Sequence, residues 1–185
     1  MAAALVVSGC GGGRTTVASP SRTGPLVATR EPTPVPPPSQ ASFAFLADLK
    51  SSNEVPPITD AEASCTGQGR FVLRAKLDPS GKITAANAQF SFFVNSCPNS
   101  TRIILAHIHQ APAGQNGAVK IDSGLKASQP IAVSYGDMSF NIEDVAVSDV
   151  ALVADLIANP ARYYLNIHSV SHTDGLVRGQ LKHEN

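Results

Sequence analysis

The chain has 185 residues, room for one ordinary domain with extensions. Lys plus Arg number 14 and Asp plus Glu number 14, so the formal net charge is zero, which argues against a nucleic-acid or anionic-lipid partner surface. Apolar residues make up 43% and no run of them approaches the roughly 20 residues of a spanning helix, so a modest core without Trp is expected.

Residues 1–10 end in Leu5-Val-Val-Ser-Gly-Cys10, which resembles a bacterial lipobox. Cys10 is then the lipidated first residue of the mature protein and the membrane is a partner through that lipid; the alternative is a chance cysteine among small residues. Only Met1 to Val7 precede the motif, with no Lys or Arg, so the signal is expected to be a truncated one. Residues 11–40 show no apolar periodicity and are rich in Gly, Ser, Thr and Pro. The run Glu31-Pro-Thr-Pro-Val-Pro-Pro-Pro38 favours an extended spacer, because proline fixes φ and removes backbone donors. A disordered tether lifting a domain off a membrane is the expectation.

From residue 41 to 183 the pattern is that of strands. Ser42 to Leu49 alternates, with Phe43, Phe45, Ala47 and Leu49 on one face, and Pro56-Pro57 ends any strand soon after. Gly67 to Leu77 alternates again, Asp78-Pro-Ser-Gly81 is a turn, and Ile83 to Val94 returns, making a long hairpin. Ile103 to His109 is a further strand, followed by a loop over 111–117 and short strands near 119–121, 131–133 and 139–142. One helix is expected over Val150 to Ala158, capped by Ser148 and stopped by Asn159-Pro160. Arg162 to His168 and Leu176 to Leu181 are the last strands. The sum is an all-β, antiparallel sandwich or barrel with one short helix.

Cys65 and Cys97 flank the long hairpin, whose geometry brings its two ends together. In an exported protein they are expected to pair; otherwise they are free thiols. Asn99-Ser-Thr101 matches a glycosylation acceptor and marks an exposed loop.

The residues with chemistry to offer are histidines. His107 and His109 sit two apart in a strand, so they share one face, and His168 lies in a similar apolar run. Three neutral imidazoles suit copper or zinc with an open fourth position. The competing and preferred reading is that they hydrogen-bond to backbone or carboxylates and pin the sheet. The pattern also resembles the copper side of copper/zinc superoxide dismutases, but the dense histidine loop of those enzymes is missing, so dismutase activity is not expected. No Gly-x-Ser-x-Gly, His-Glu-x-x-His or phosphate loop occurs.

Five motifs in order carry a resemblance: Phe43-x-Phe-x-Ala-x-Leu49, Asn53-Glu-Val-Pro-Pro57, Ala106-His-Ile-His109, Asn159-Pro160 with Tyr163-Tyr-Leu-Asn-Ile-His168, and Arg178-Gly-Gln-Leu181. Together they resemble the CHRD domain, first described in chordin and widespread in bacterial exported proteins. The resemblance implies an immunoglobulin-like β-sandwich or barrel in an extracellular setting and implies no particular activity. Ser169 stands where the family usually has Thr, and Leu176 where it usually has an acid. Glu54 and Arg178 fall in two of the motifs with opposite charge; they either pair across the sandwich or stand solvated. The expectation is a lipid-anchored protein of the bacterial cell envelope, non-enzymatic and without an obligate cofactor. Its domain is expected to be a binding or structural module; if it binds, the ligand is a protein or polysaccharide and the loop after His109 is the candidate patch. The alternative is a small copper or zinc metalloprotein.

Overall fold

The computed structural model describes residues 38–184. Cys10 and most of the expected tether lie outside the described residues.

Strands β1 (Ser39–Lys50), β2 (Thr66–Leu77) and β3 (Ile83–Asn95) are long; a loop over 51–65 joins the first two and a tight turn the last two. Strands β4 (Arg102–Gln110), β5 (Ala118–Asp122), β6 (Ile131–Ala132) and β7 (Met138–Val147) come next. Helix α1 (Val150–Ala158) then leads to β8 (Tyr163–Ser169), β9 (Val177–Gln180) and β10 (Lys182–His183). One hydrogen-bonded path runs β5-β4-β8-β9-β1-β2-β3-β7, all pairs antiparallel, with β10 added to β1 and β6 to β4. The sheet is a nearly closed antiparallel barrel or sandwich around one core.

Side-chain alternation decides what that core contains. Phe45, Ala47 and Leu49 of β1, Phe71 and Leu73 of β2, and Ala88, Phe90 and Phe92 of β3 all point inward. β4 contributes Ala106 and Ile108, and β8 contributes Tyr163, Leu165 and Ile167. Phe71 and Phe90 meet edge to face, with centroids 5.0 Å apart. Cys65, just before β2, is joined to Cys97, just after β3, closing the open end of the hairpin with Cα atoms 4.5 Å apart.

α1 packs on β3 through Val153 and Leu156. Its cap differs from the sequence expectation. Asp149, not Ser148, accepts from the backbone N–H groups of Ala151 and Leu152, both at 3.0 Å. Asp149 is the residue at the half-in position, and its carboxylate makes a stronger acceptor for those orphan donors than a hydroxyl. Three short 3-10 turns, Ser51–Asn53, Ala61–Ser64 and Pro160–Arg162, lie where the sequence shows no periodicity. β7 extends to Val147, beyond the expected strand, because its edge position leaves residues such as Glu143 and Asp144 exposed and breaks the apolar pattern.

Candidate metal centre

β4 and β8 are buried on both faces, and this places the functional side chains. Ala106 and Ile108 enter the core, so His107 and His109 face the other way. In register, His107 lies opposite Asn166, His109 opposite Tyr164, and Leu105 opposite His168. β9 adds Arg178 opposite Asn166 and Gln180 opposite Tyr164. The outward face of three neighbouring strands therefore carries His, Tyr, Asn and Arg rather than solvent-exposed filler. His107, His109, His168, Asn166 and Arg178 are all buried.

Loops cover this face and satisfy it. The loop after β4 brings the Gly117 carbonyl to His109 Nδ1 at 2.9 Å. The loop after β8 brings the Thr173 carbonyl to His168 Nδ1 at 2.9 Å. A carbonyl only accepts, so both Nδ1 atoms donate and both Nε2 atoms carry bare lone pairs. His168 Nε2 stands 3.0 Å from His107 Nδ1. The remaining nitrogen of His107, Nε2, faces the Asp122 carboxylate at 3.8 Å. One ring nitrogen from each of the three histidines lies within 4.8 Å of the others. Sequence parity and the register thus bring His107, His109 and His168 into one cluster.

Burial governs their protonation. It pushes His168 down to about 4, with the charge of His107 adding and the Thr173 carbonyl opposing. His107 is lowered by burial against the pull of Asp122. His109 is lowered by burial against its bond to Gly117. Burial thus favours the neutral form of all three rings, and the one proton between two of them is the Nδ1–H that His107 donates to His168 Nε2.

Tyr164 orients His109. The two rings stack with centroids 4.9 Å apart and 9° between planes. The Tyr164 hydroxyl accepts from the Gly117 N–H at 3.2 Å, the same peptide that holds His109. Gly117 has to be glycine: a Cβ there would stand 2.0 Å from the Gln110 carbonyl oxygen.

Arg178 and Glu54 are both buried, at 3% and 5% exposure, so neither is solvated. Arg178 Nε is 4.0 Å from Glu54 Oε2. The guanidinium is held more closely by the Asn53 carbonyl at 2.5 Å, the Gln115 carbonyl at 3.2 Å and Asn116 Oδ1 at 2.8 Å. Its carbon lies 4.8 Å from the Tyr164 ring centre, a cation–π contact. Burial raises Glu54 to about 7 against the opposing charge of Arg178. Among the described residues, His109 Nε2, Asn166 Oδ1, Glu54 Oε1 and Arg178 Nη2 are buried polar atoms with no hydrogen-bond partner. Glu54 also lines two clefts. One, of about 560 Å³, is lined by Asn53, Ala113 and Arg178, and the other, of about 540 Å³, by His109, Tyr164 and His172.

The loop after β4, expected to display an exposed patch, instead ties down the site through Gln115, Asn116 and Gly117. Tyr164 and the carbonyls of Gly117 and Thr173 escaped the sequence reading. Tyr164 shares parity with His168, which was a readable signal; the carbonyls depend on loop paths and carry none.

An all-β module with a buried, histidine-bearing outer face is the class these observations define. The family model for the CHRD domain matches residues 45–181. The chain belongs to the CHRD domain family. No curated protein and no solved structure matches the chain.

Proposed function

We propose that this CHRD domain is a non-enzymatic binding module whose ligand is one copper or zinc ion, held by His107, His109 and His168. The observation that carries the reading is the convergence of three neutral ring nitrogens within 4.8 Å, with His109 Nε2 buried and unpartnered. Two of the rings donate their other nitrogen to backbone carbonyls and the third faces a carboxylate, the second layer that metal-bound imidazoles need. On binding, His107 carries its proton on Nε2, the side of Asp122, and turns Nδ1 to the ion. Ligand nitrogens of a four-coordinate ion stand about 3.3 Å apart, so the cluster contracts by up to about 1.5 Å on binding. The rings are shielded from solvent, which suits holding an ion more than processing a substrate.

In the same proposal the protein is exported to the bacterial cell envelope and anchored through Cys10, with residues 11–40 as spacer. The Cys65–Cys97 disulfide supports an oxidising compartment. A protein or polysaccharide partner, if one joins, meets an already closed metal site.

The test is elemental analysis of the full chain after reconstitution with copper or zinc, beside the His107→Ala, His109→Ala, His168→Ala triple variant. Near-stoichiometric metal that disappears in the variant is expected. A folded wild-type chain that takes up neither metal overturns the reading and leaves the histidines as groups that pin the sheet.

A further inference from the structure

This inference rests on the metal reading and asks which ion the site prefers. Its donors are three neutral imidazoles, and among the described residues no carboxylate or thiol joins the cluster. The ligands therefore cancel none of the ion's charge. A fixed positive charge also stands close by. β8 runs between β4 and β9, so Tyr164 stands between His109 at 4.9 Å and Arg178 at 4.8 Å. Arg178 cannot turn to water, because three hydrogen bonds to the 53 and 115–116 loops hold it.

The acids around the site offset this charge poorly. Glu54 faces Arg178 at 4.0 Å, but its burial leaves it only partly ionised near neutral pH. Asp122 and Asp174 face the cluster from outside, are exposed, and are screened by water. An ion of charge two meets twice the repulsion from Arg178 that an ion of charge one meets. We propose that the site selects monovalent copper over Zn(II) and Cu(II), and that Arg178 sets this preference across the Tyr164 ring. A unit charge about 10 Å away, in an effective dielectric of about 20, shifts the relative affinity of the two charge types about tenfold.

The experiment measures Cu(I) affinity of the full chain by anaerobic competition with bathocuproine disulfonate, and Zn(II) affinity by competition with a chromophoric chelator. It compares wild type, Arg178→Gln, Arg178→Lys and Glu54→Gln. The ratio of the two affinities is expected to move about tenfold toward Zn(II) in Arg178→Gln and to return in Arg178→Lys. It is expected to move further toward Cu(I) in Glu54→Gln, where the carboxylate facing Arg178 is gone. The copper reduction potential, followed through the Cu(II) spin-resonance signal, should fall in Arg178→Gln by 59 mV per tenfold.

Parallel loss of both affinities in Arg178→Gln would show Arg178 to be a structural tie only, and would sink the proposal. So would an unchanged ratio in Glu54→Gln, which decides the matter where Arg178→Gln fails to fold. Binding of neither ion by wild type defeats the metal reading itself, a different failure from binding without selectivity.

Discussion

At the scale of single residues, two buried groups pull stability in opposite directions with pH. His168 has its folded pKa lowered from 6.5 to about 4, so the unfolded chain binds more protons between those values. Its contribution, up to about 3 kcal/mol, is present above pH 6.5 and is lost as pH falls toward 4. Glu54 has its folded pKa raised from 4.5 to about 7, so its contribution is present below pH 4.5 and is lost as pH rises through 7. Between about pH 4.5 and 6.5 the two oppose, and because His107 and His109 are lowered by the same burial as His168, urea denaturation of the metal-free protein should show a fall in stability toward acid that Glu54 makes shallower. Glu54→Gln should expose the histidine arm as a steep fall in stability below pH 6.5. An equally shallow profile in that variant would contradict the assignment. Gly117 gives a simpler test. Gly117→Ala forces a shift against the Gln110 carbonyl and disturbs the peptide that holds His109. A loss of about 1–3 kcal/mol in denaturant titration is expected, together with weaker metal uptake.

At the scale of elements, the strands were easier to read than what joins them. Phe43, Phe45, Ala47 and Leu49 alternate because β1 has one face in the core, and that alternation appears directly in the sequence. The His107/His109 parity was legible for the same reason. The helix was legible too, but its cap fell one residue later, at Asp149, because Ser148 and Asp149 are both good caps and only the backbone decides between them. Asp149→Ala should cost about 1 kcal/mol and Ser148→Ala much less, as thermal unfolding can measure; equal costs would return the cap to the serine. The hairpin bond is the larger element effect. It closes a separation of 32 residues, and replacing Cys65 and Cys97 by Ala should remove about 3–4 kcal/mol in chemical denaturation. Loop carbonyls such as those of Gly117 and Thr173 were not legible, because any residue carries a carbonyl and only the folded path aims it.

At the scale of the molecule, the structural domain is larger than the matched family region. β1 begins at Ser39, six residues before the match, and pairs with β2 along its whole length from Ser39 opposite Leu77. β10 follows the match and pairs with β1, and Glu184 reaches Arg70 in an ion pair of 2.7 Å. A fragment from 45 to 181 discards Phe43, which packs against the core, and leaves the outer half of β2 with one neighbour. Its unfolding midpoint in urea should fall by an amount worth about 2–4 kcal/mol relative to residues 38–185. Matching midpoints would make the flanks dispensable.

The two-faced burial of β4 and β8 also bears on how such a domain can change over time. Alternate residues of the same strand answer to different demands: Ala106, Ile108, Leu165 and Ile167 to folding, His107, His109, Asn166 and His168 to whatever the covered face holds. Substitutions on the second set leave the core packing of the first in place, although each, being buried, carries a stability cost of its own. The fold and the chemistry of the covered face are thus written on alternate positions of the same two strands.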